Sequence, residues 1–381
     1  VNSGARVAWR SLEDMSVDPE SVDRLARSAV AVAQDAEQAL VRRVAAALAK
    51  GVDAPGWETA KMADLVRQRA AWERVVSAYV SGGRNAIGQA ILDAGAKGQS
   101  LALASLRAAL GAAVPDGLAT SRSVLALAAE SAGIVDATRS GILRAAEDLY
   151  RGTVAEMIGR VLTGGQTRRA VAQSVLDRLL GSGLTGFVDK AGRRWELASY
   201  VEMATRTAAQ RAMTQAHTEA LQSQGIDLII VSNAPQECAR CRPWEGKVLS
   251  LSGGGAGSVT LPSVTNPDRL VTVIVAGSLE QAKRAGLYHP GCRHSHGAYL
   301  PGLTKRPTNT ADPQGDADRR RLRELERRVR REKLREAAAL GPVEQARARG
   351  RVKQGQSAIR EHVDRTGMIR QSAREQVGKA R

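Results

Sequence analysis

The chain has 381 residues, a formal net charge of +17 and few aromatic residues, five Trp, five Tyr and one Phe. Three cysteines are too few for a disulfide framework, and no apolar run reaches the roughly 18 residues that span a bilayer, which argues against a cysteine-stapled secreted module and a membrane partner. With no charged-then-apolar leader at Val1, the expectation is a soluble chain made in a cytoplasm, whose basic excess favours a polyanionic partner such as nucleic acid.

Residues 1–183 read as helical almost throughout. Asp18, Pro19 and Glu20 place an N-cap before a proline at the first helical position. Val22, Leu25, Ala29, Val32, Ala36, Leu40, Val44 and Leu48 then recur at helical spacing up to Gly51. Further helices are expected at about 57–80, 86–96, 98–113, 119–132, 137–163 and 168–181. The expected breaks are Gly82-Gly83, Pro115-Asp116-Gly117 and Gly164-Gly165, and Thr167 is the expected N-cap of the last helix. With so few large anchors, these helices should pack through Ala, Leu and Val.

The pattern changes across 184–303. A short strand near Gly186, a turn at Asp189 to Gly192 and a second short stretch lead into a helix over 198–225. Strands are expected at Ile226–Ser232, Gly246–Leu251 and Leu270–Ala276, with a flexible glycine-rich loop at 253–258. Ser278 is placed to cap a short helix before His289. All three cysteines lie in this region, as Cys238-Ala239-Arg240-Cys241 and, some fifty residues on, His289-Pro290-Gly291-Cys292-Arg293-His294-Ser295-His296. Two thiols two residues apart bind one ion through a tight turn, and a second Cys/His cluster completes the tetrahedron that zinc prefers. The candidate ligands are therefore Cys238, Cys241, Cys292 and one of His289 and His294. Their expected cofactor is a structural zinc ion.

Residues 304–381 read as a basic helical tail. Between 303 and 381 there are 22 Lys/Arg against 11 Asp/Glu, so a surplus of 11 charges is localised there. Leu322, Leu325, Val329 and Leu334 form a thin apolar stripe, which suits docking on a partner; the Lys/Arg density also suits contact with phosphates. The expected fold class is mainly α with a small α+β zinc-stapled module, an extended helical N-terminal half and this tail.

The motifs of 184–303 resemble those of the phage minor capsid proteins related to the head-morphogenesis protein F of phage Mu. The resemblance rests on Gly186-Phe187, Asp189-Lys190, Gly192-Arg193-Arg194-Trp195, Tyr200 to Thr207, Gly225 and Val231-Ser232. It continues through Cys241-Arg242-Pro243-Trp244-Glu245-Gly246-Lys247-Val248, His289-Pro290 with Cys292-Arg293-His294, and Tyr299-Leu300-Pro301-Gly302. It implies a virion component, assembled in the bacterial host cytoplasm and lying in the capsid interior or at the portal vertex. The implied partners are the portal protein and other capsid proteins, with roles in head assembly and in DNA packaging or ejection, and packaged double-stranded DNA is the expected contact of the basic tail. Many relatives end the second knot as Cys-x-Cys where this chain has Cys292-Arg293-His294. His294 thus stands at the last cysteine's position, while His289 has the knuckle spacing to Cys292. His296, His217 and His362 are expected to have no ligand role. Trp244 should shield the thiolates, and Arg206 should pair with an internal carboxylate or carbonyl.

The competing reading is a zinc-dependent nuclease or hydrolase acting on nucleic acid, which needs an open metal position and a general base. No HExxH is present and no His-x-Glu is paired with a Pro-Cys-x-x-Cys, and only Glu237 and Glu245 lie in the first knot. The expectation is a non-enzymatic protein.

Overall fold

Two helices run far longer than the glycine pattern predicts. The computed structural model describes residues 19–111, 114–115, 117–161, 167–181, 185–188, 192–234, 236–306 and 312–378. Within them α1 spans Pro19–Ala49, α2 Trp57–Leu110, α3 Arg122–Val161 and α4 Arg168–Gly181. The expected segments at 57–80, 86–96 and 98–113 are thus one helix, and those at 119–132 and 137–163 are another. Gly83, Gly95 and Gly98 inside α2 serve close packing instead of ending the helix, while Gly88 and Gly133 face open space. At Gly98 a Cβ would overlap the Met213 carbonyl oxygen, and at Gly83 it would press on the Val135 methyls at 3.2 Å. The expected break at Pro115-Asp116-Gly117 is found, with Pro115 and Gly117 in the non-helical stretch between α2 and α3, while the expected N-cap Asp18, Asp116 itself and Gly164-Gly165 lie outside the described residues. Thr167 caps α4 as expected, its hydroxyl accepting from the Ala170 N–H at 3.2 Å.

The strands β1 (Thr185–Val188) and β2 (Arg194–Glu196) pair antiparallel, and the expected turn at 189–191 lies outside the described residues. Next come α5 (Leu197–Ser223), β3 (Leu228–Val231), β4 (Val248–Ser250), β5 (Gly257–Pro262), β6 (Leu270–Ser278), α6 (Leu279–Arg284) and β7 (His296–Ala298). The helices α7 (Pro313–Ala337) and α8 (Pro342–Thr366) complete the order. The fold is mainly α, 67% helical, with eight α-helices among the described residues and a small sheet. That sheet has the order β5-β6-β4-β3-β7, in which β4 and β6 run parallel and the other neighbours antiparallel. Ser278 forms a reciprocal capping box with Gln281 at the start of α6.

The chain forms two compact units, each discontinuous in sequence: Val1–Ala26 with Gly88–Glu130 and Met203–Ala317, and Arg27–Ile87 with Ser131–Glu202 and Asp318–Arg381. All five crossings between them fall inside helices, so the units interleave what the sequence divides as 1–183, 184–303 and 304–381. In the first unit the period-2 alternation of β3 divides two cores. Ile229 and Val231 join Leu103 and Leu106 of α2, Leu221 of α5 and Leu249 on one face. On the other face Leu228 and Ile230 join Val248, Val273, Val275 and Tyr299.

In the second unit Trp72 is fully buried, edge-on to Tyr150 at 5.6 Å, and Tyr79 bonds Thr138 at 2.9 Å. Here α7 and α8 pack on each other. Leu322, Leu325 and Val329 of the expected docking stripe are buried against Val352 and Ile359, so this chain already covers them. Part of the α7 charge is likewise engaged within this unit. Arg330 is buried between Glu196 at 3.8 Å and Glu202 at 3.9 Å, and it donates to the Ser199 hydroxyl at 2.6 Å. The basic segment is therefore an integral part of this unit and not a free arm.

Candidate metal centre

The two cysteine turns are built by backbone hydrogen bonds in the first unit. The Cys238 carbonyl accepts from the N–H groups of Cys241 and Arg242, both at 3.1 Å, and folds the two thiols of Cys-x-x-Cys back toward one point. A single 3-10 turn, Arg242–Trp244, follows with Pro243 in its first positions, and Gly246 at φ 66 releases the chain into β4. The second turn mirrors the first. The His289 carbonyl accepts from the Cys292 N–H at 2.9 Å, with Gly291 at φ 79 and Tyr288 itself at φ 61.

These turns bring all five predicted residues together in two overlapping groups, Cys238 with Cys241 and His289, and Cys241 with Cys292 and His294. In each group the ligand atoms lie within 4.8 Å of one another. Cys241 Sγ stands 3.5 Å from Cys292 Sγ, and Cys292 Sγ stands 3.5 Å from His294 Nδ1. Two donors held about 2.1–2.3 Å from a shared zinc ion at the tetrahedral angle are separated by about 3.5–3.8 Å, so these spacings fit the ion. Cys238 Sγ lies 2.9 Å from His289 Nε2, which is the distance of a direct hydrogen bond.

Charge at the knot follows from its packing. The hydrogen bond from the Cys241 thiol and the neighbouring His294 ring draw the Cys292 thiol down to about 4, and the resulting thiolate, with burial, pushes the Cys241 thiol up. Burial opposes protonation of His294, yet the Cys292 sulfur and Glu245 together outweigh it and raise the ring above its ordinary value. Cys241 is buried, and Trp244 is half-buried against the same apolar cluster.

Sequence reasoning missed the residues behind the ligands. Glu245 Oε1 meets His294 Nε2 at 2.7 Å and also accepts from the Ala234 N–H at 3.0 Å, so the carboxylate fixes the ring with Nδ1 facing Cys292. Gln210 of α5 donates to the His294 carbonyl at 2.9 Å. His296 belongs to neither group. It is buried in β7, with Nδ1 at 2.7 Å from the Tyr288 hydroxyl and Nε2 at 3.0 Å from the Thr218 hydroxyl. It therefore anchors the side chain of Tyr288, the neighbour of His289. No local pattern links positions 49 or 78 residues apart, and the only hint was that Glu245 and His296 lie inside the two knots.

The remaining predicted residues stand as follows. Arg206 pairs with Asp23 at 2.5 Å, as its expected structural role requires. His217 is buried edge-on to His296 at 5.1 Å, and His362 is buried with Nε2 at 2.9 Å from the Asp318 carbonyl. Glu237 is tied to Arg242 at 2.7 Å and to the Asp312 N–H at 2.9 Å. Burial works against its ionisation, but these donors prevail and hold its carboxyl below the ordinary value.

No helix among the described residues is long and apolar enough to cross a membrane. No curated protein and no solved structure matches the chain significantly. The sequence profile of one family, Phage minor capsid protein 2, matches residues 17–364, which takes in both cysteine turns, the sheet and nearly all of α8. By that match the chain belongs to the phage minor capsid protein 2 family and is a structural component of the bacteriophage virion.

Proposed function

We propose that this minor capsid protein acts at the portal vertex during head assembly, and that its Cys/His knot is a closed zinc site that staples the sheet of the first unit. The ligands in this reading are Cys238, Cys241, Cys292 and His294. The observation that carries it is the Glu245 carboxylate on the far nitrogen of His294, the arrangement that orients metal-bound histidines. His289, at hydrogen-bond distance from Cys238, acts as a donor to that thiolate from outside the set. Metal analysis tests it: the purified chain should carry about one zinc per molecule, lost in His294→Ala and kept in His289→Ala. Equal zinc in wild type and His294→Ala overturns the assignment.

Packaged double-stranded DNA is the proposed polyanionic contact, through exposed cations of α8 such as Lys353 and Arg360, two turns apart on one face. Deleting 303–381 would strip the second unit of α7 and α8, so charge reversal is the sound test. Lys353→Glu with Arg360→Glu should weaken binding uniformly across sequences and flatten its salt dependence, and unchanged binding removes the DNA contact.

A cleft lined by Arg206, Gln210, Thr214, Tyr288, His289 and Cys292 adjoins the knot and is the observation that favours the zinc-dependent nuclease or hydrolase. Against it, Glu237 and Glu245 are both engaged in hydrogen bonds, and four protein ligands leave no position for an activated water. Metal-dependent cleavage of DNA or RNA that Cys292→Ala abolishes, and a destabilising control elsewhere does not, would establish the enzyme.

A further inference from the structure

Among the described residues, the sheet of the first unit ends in a strand with one side unpaired. β5 is the terminal strand of the order β5-β6-β4-β3-β7, and its six residues pair with β6 alone. Natural proteins blunt such edges with charges, internal proline or bulges, since a row of free N–H and C=O groups is a template for another strand. Here none of these is present. Residues 248–267 contain no Lys, Arg, Asp or Glu in a chain that is 25% charged, and Pro262 stands only at the strand's last position. The hairpin also exposes apolar surface, with Leu270 and Ile274 67% and 65% accessible and Val259 41%.

We propose that β5 is a homotypic docking edge, on which the β5 of a second copy of this chain pairs antiparallel to continue the sheet. The alternation of the strand is self-complementary in one register. Val259 and Leu261 lie on the face of Val271, Val273 and Val275, while Ser258, Thr260 and Pro262 lie on the face of Ile274, Thr272 and Leu270. A two-fold axis through Thr260 sets Thr260 against Thr260 and Val259 against Leu261, keeping every residue on its own face. The Val/Leu pairs extend the core of Leu228, Ile230 and Val273 across the junction, which is where Leu261 and Val271 are only partly covered. Charge decides for a second copy. Two chains of +17 repel wherever their cations meet, and this charge-free stretch is where like chains approach without that penalty.

Sedimentation of the full chain across a concentration range at physiological salt tests the proposal. The expected result is a reversible species of twice the 40.4 kDa chain mass. Thr260→Lys places like charges face to face on the axis and should raise the dissociation constant at least tenfold, while Thr260→Val preserves association. Ser258→Lys, also on the exposed face, serves as a second disrupting variant should Thr260→Lys alter the circular dichroism or melting of the monomer. A wild-type chain that stays monomeric throughout, or folded lysine variants that associate as wild type does, overturns the proposal.

Discussion

The knot shows what a sequence discloses of a site residue by residue. The three thiols were legible because cysteine has few uses in a reducing compartment and their spacing imposes a turn. Glu245 was read only as a candidate base, since nothing local ties it to a histidine 49 positions away; folding makes it the anchor of His294. That role gives a prediction. Glu245→Gln keeps the shape but loses the charge that orients and enriches the imidazole, so zinc affinity should fall by about 10- to 100-fold while the fold survives. Competition with a chelator of known affinity measures it, and unchanged affinity makes Glu245 a packing residue only.

Element ends were legible and element interiors were not. Thr167 and Ser278 were read as caps because an N-cap hydroxyl satisfies a helix N–H through purely local geometry, and both do so. Glycines within α2 read as breaks because intrinsic propensity disfavours them, but tertiary packing overrides that preference where backbones must approach. Gly98→Ala should therefore cost on the order of 1–3 kcal/mol despite a gain in helix propensity, since its methyl has to displace the Met213 carbonyl. A raised thermal midpoint in that variant would show that the helices move apart freely. The strands β5 and β7 were missed for a related reason. β7 is only His296–Ala298 and has little intrinsic preference, so its pairing with β3 makes it a strand.

At the scale of whole units, the tail's apolar stripe was read correctly as a seam but its partner was assigned outside the chain, because sequence gives a buried face without saying what covers it. The interior it helps to close contains an unusual acid. Glu37 of α1 is buried with no hydrogen-bond partner for Oε1 among the described residues. Burial, with Glu196 adding and Arg330 opposing, pushes its carboxyl up to about 8. Between its unfolded value near 4.5 and about 8 the folded chain holds a proton that the unfolded chain releases, so stability must fall as pH rises through that window. The slope from this one group is about 1 kcal/mol per pH unit. Thermal unfolding at pH 5 and pH 8 should show the decline in wild type and its loss in Glu37→Gln, and identical profiles would place Glu37 in contact with solvent.

The interleaving of the two units bears on the order of events during synthesis. The unit that holds the knot takes residues from three segments and lacks β7 until residues near 300 have been translated, while the other unit lacks α7 and α8 until after 318. Neither unit is complete on a nascent N-terminal fragment, although α2 and α3 carry contacts with each other, such as Trp72 on Tyr150, that need nothing made later. Cys238 and Cys241 leave the ribosome some fifty residues before Cys292, so the three thiols meet only after most of the chain has been translated. A product that stops before residue 318 therefore leaves the second unit without α7 and α8, however much of the first has been made.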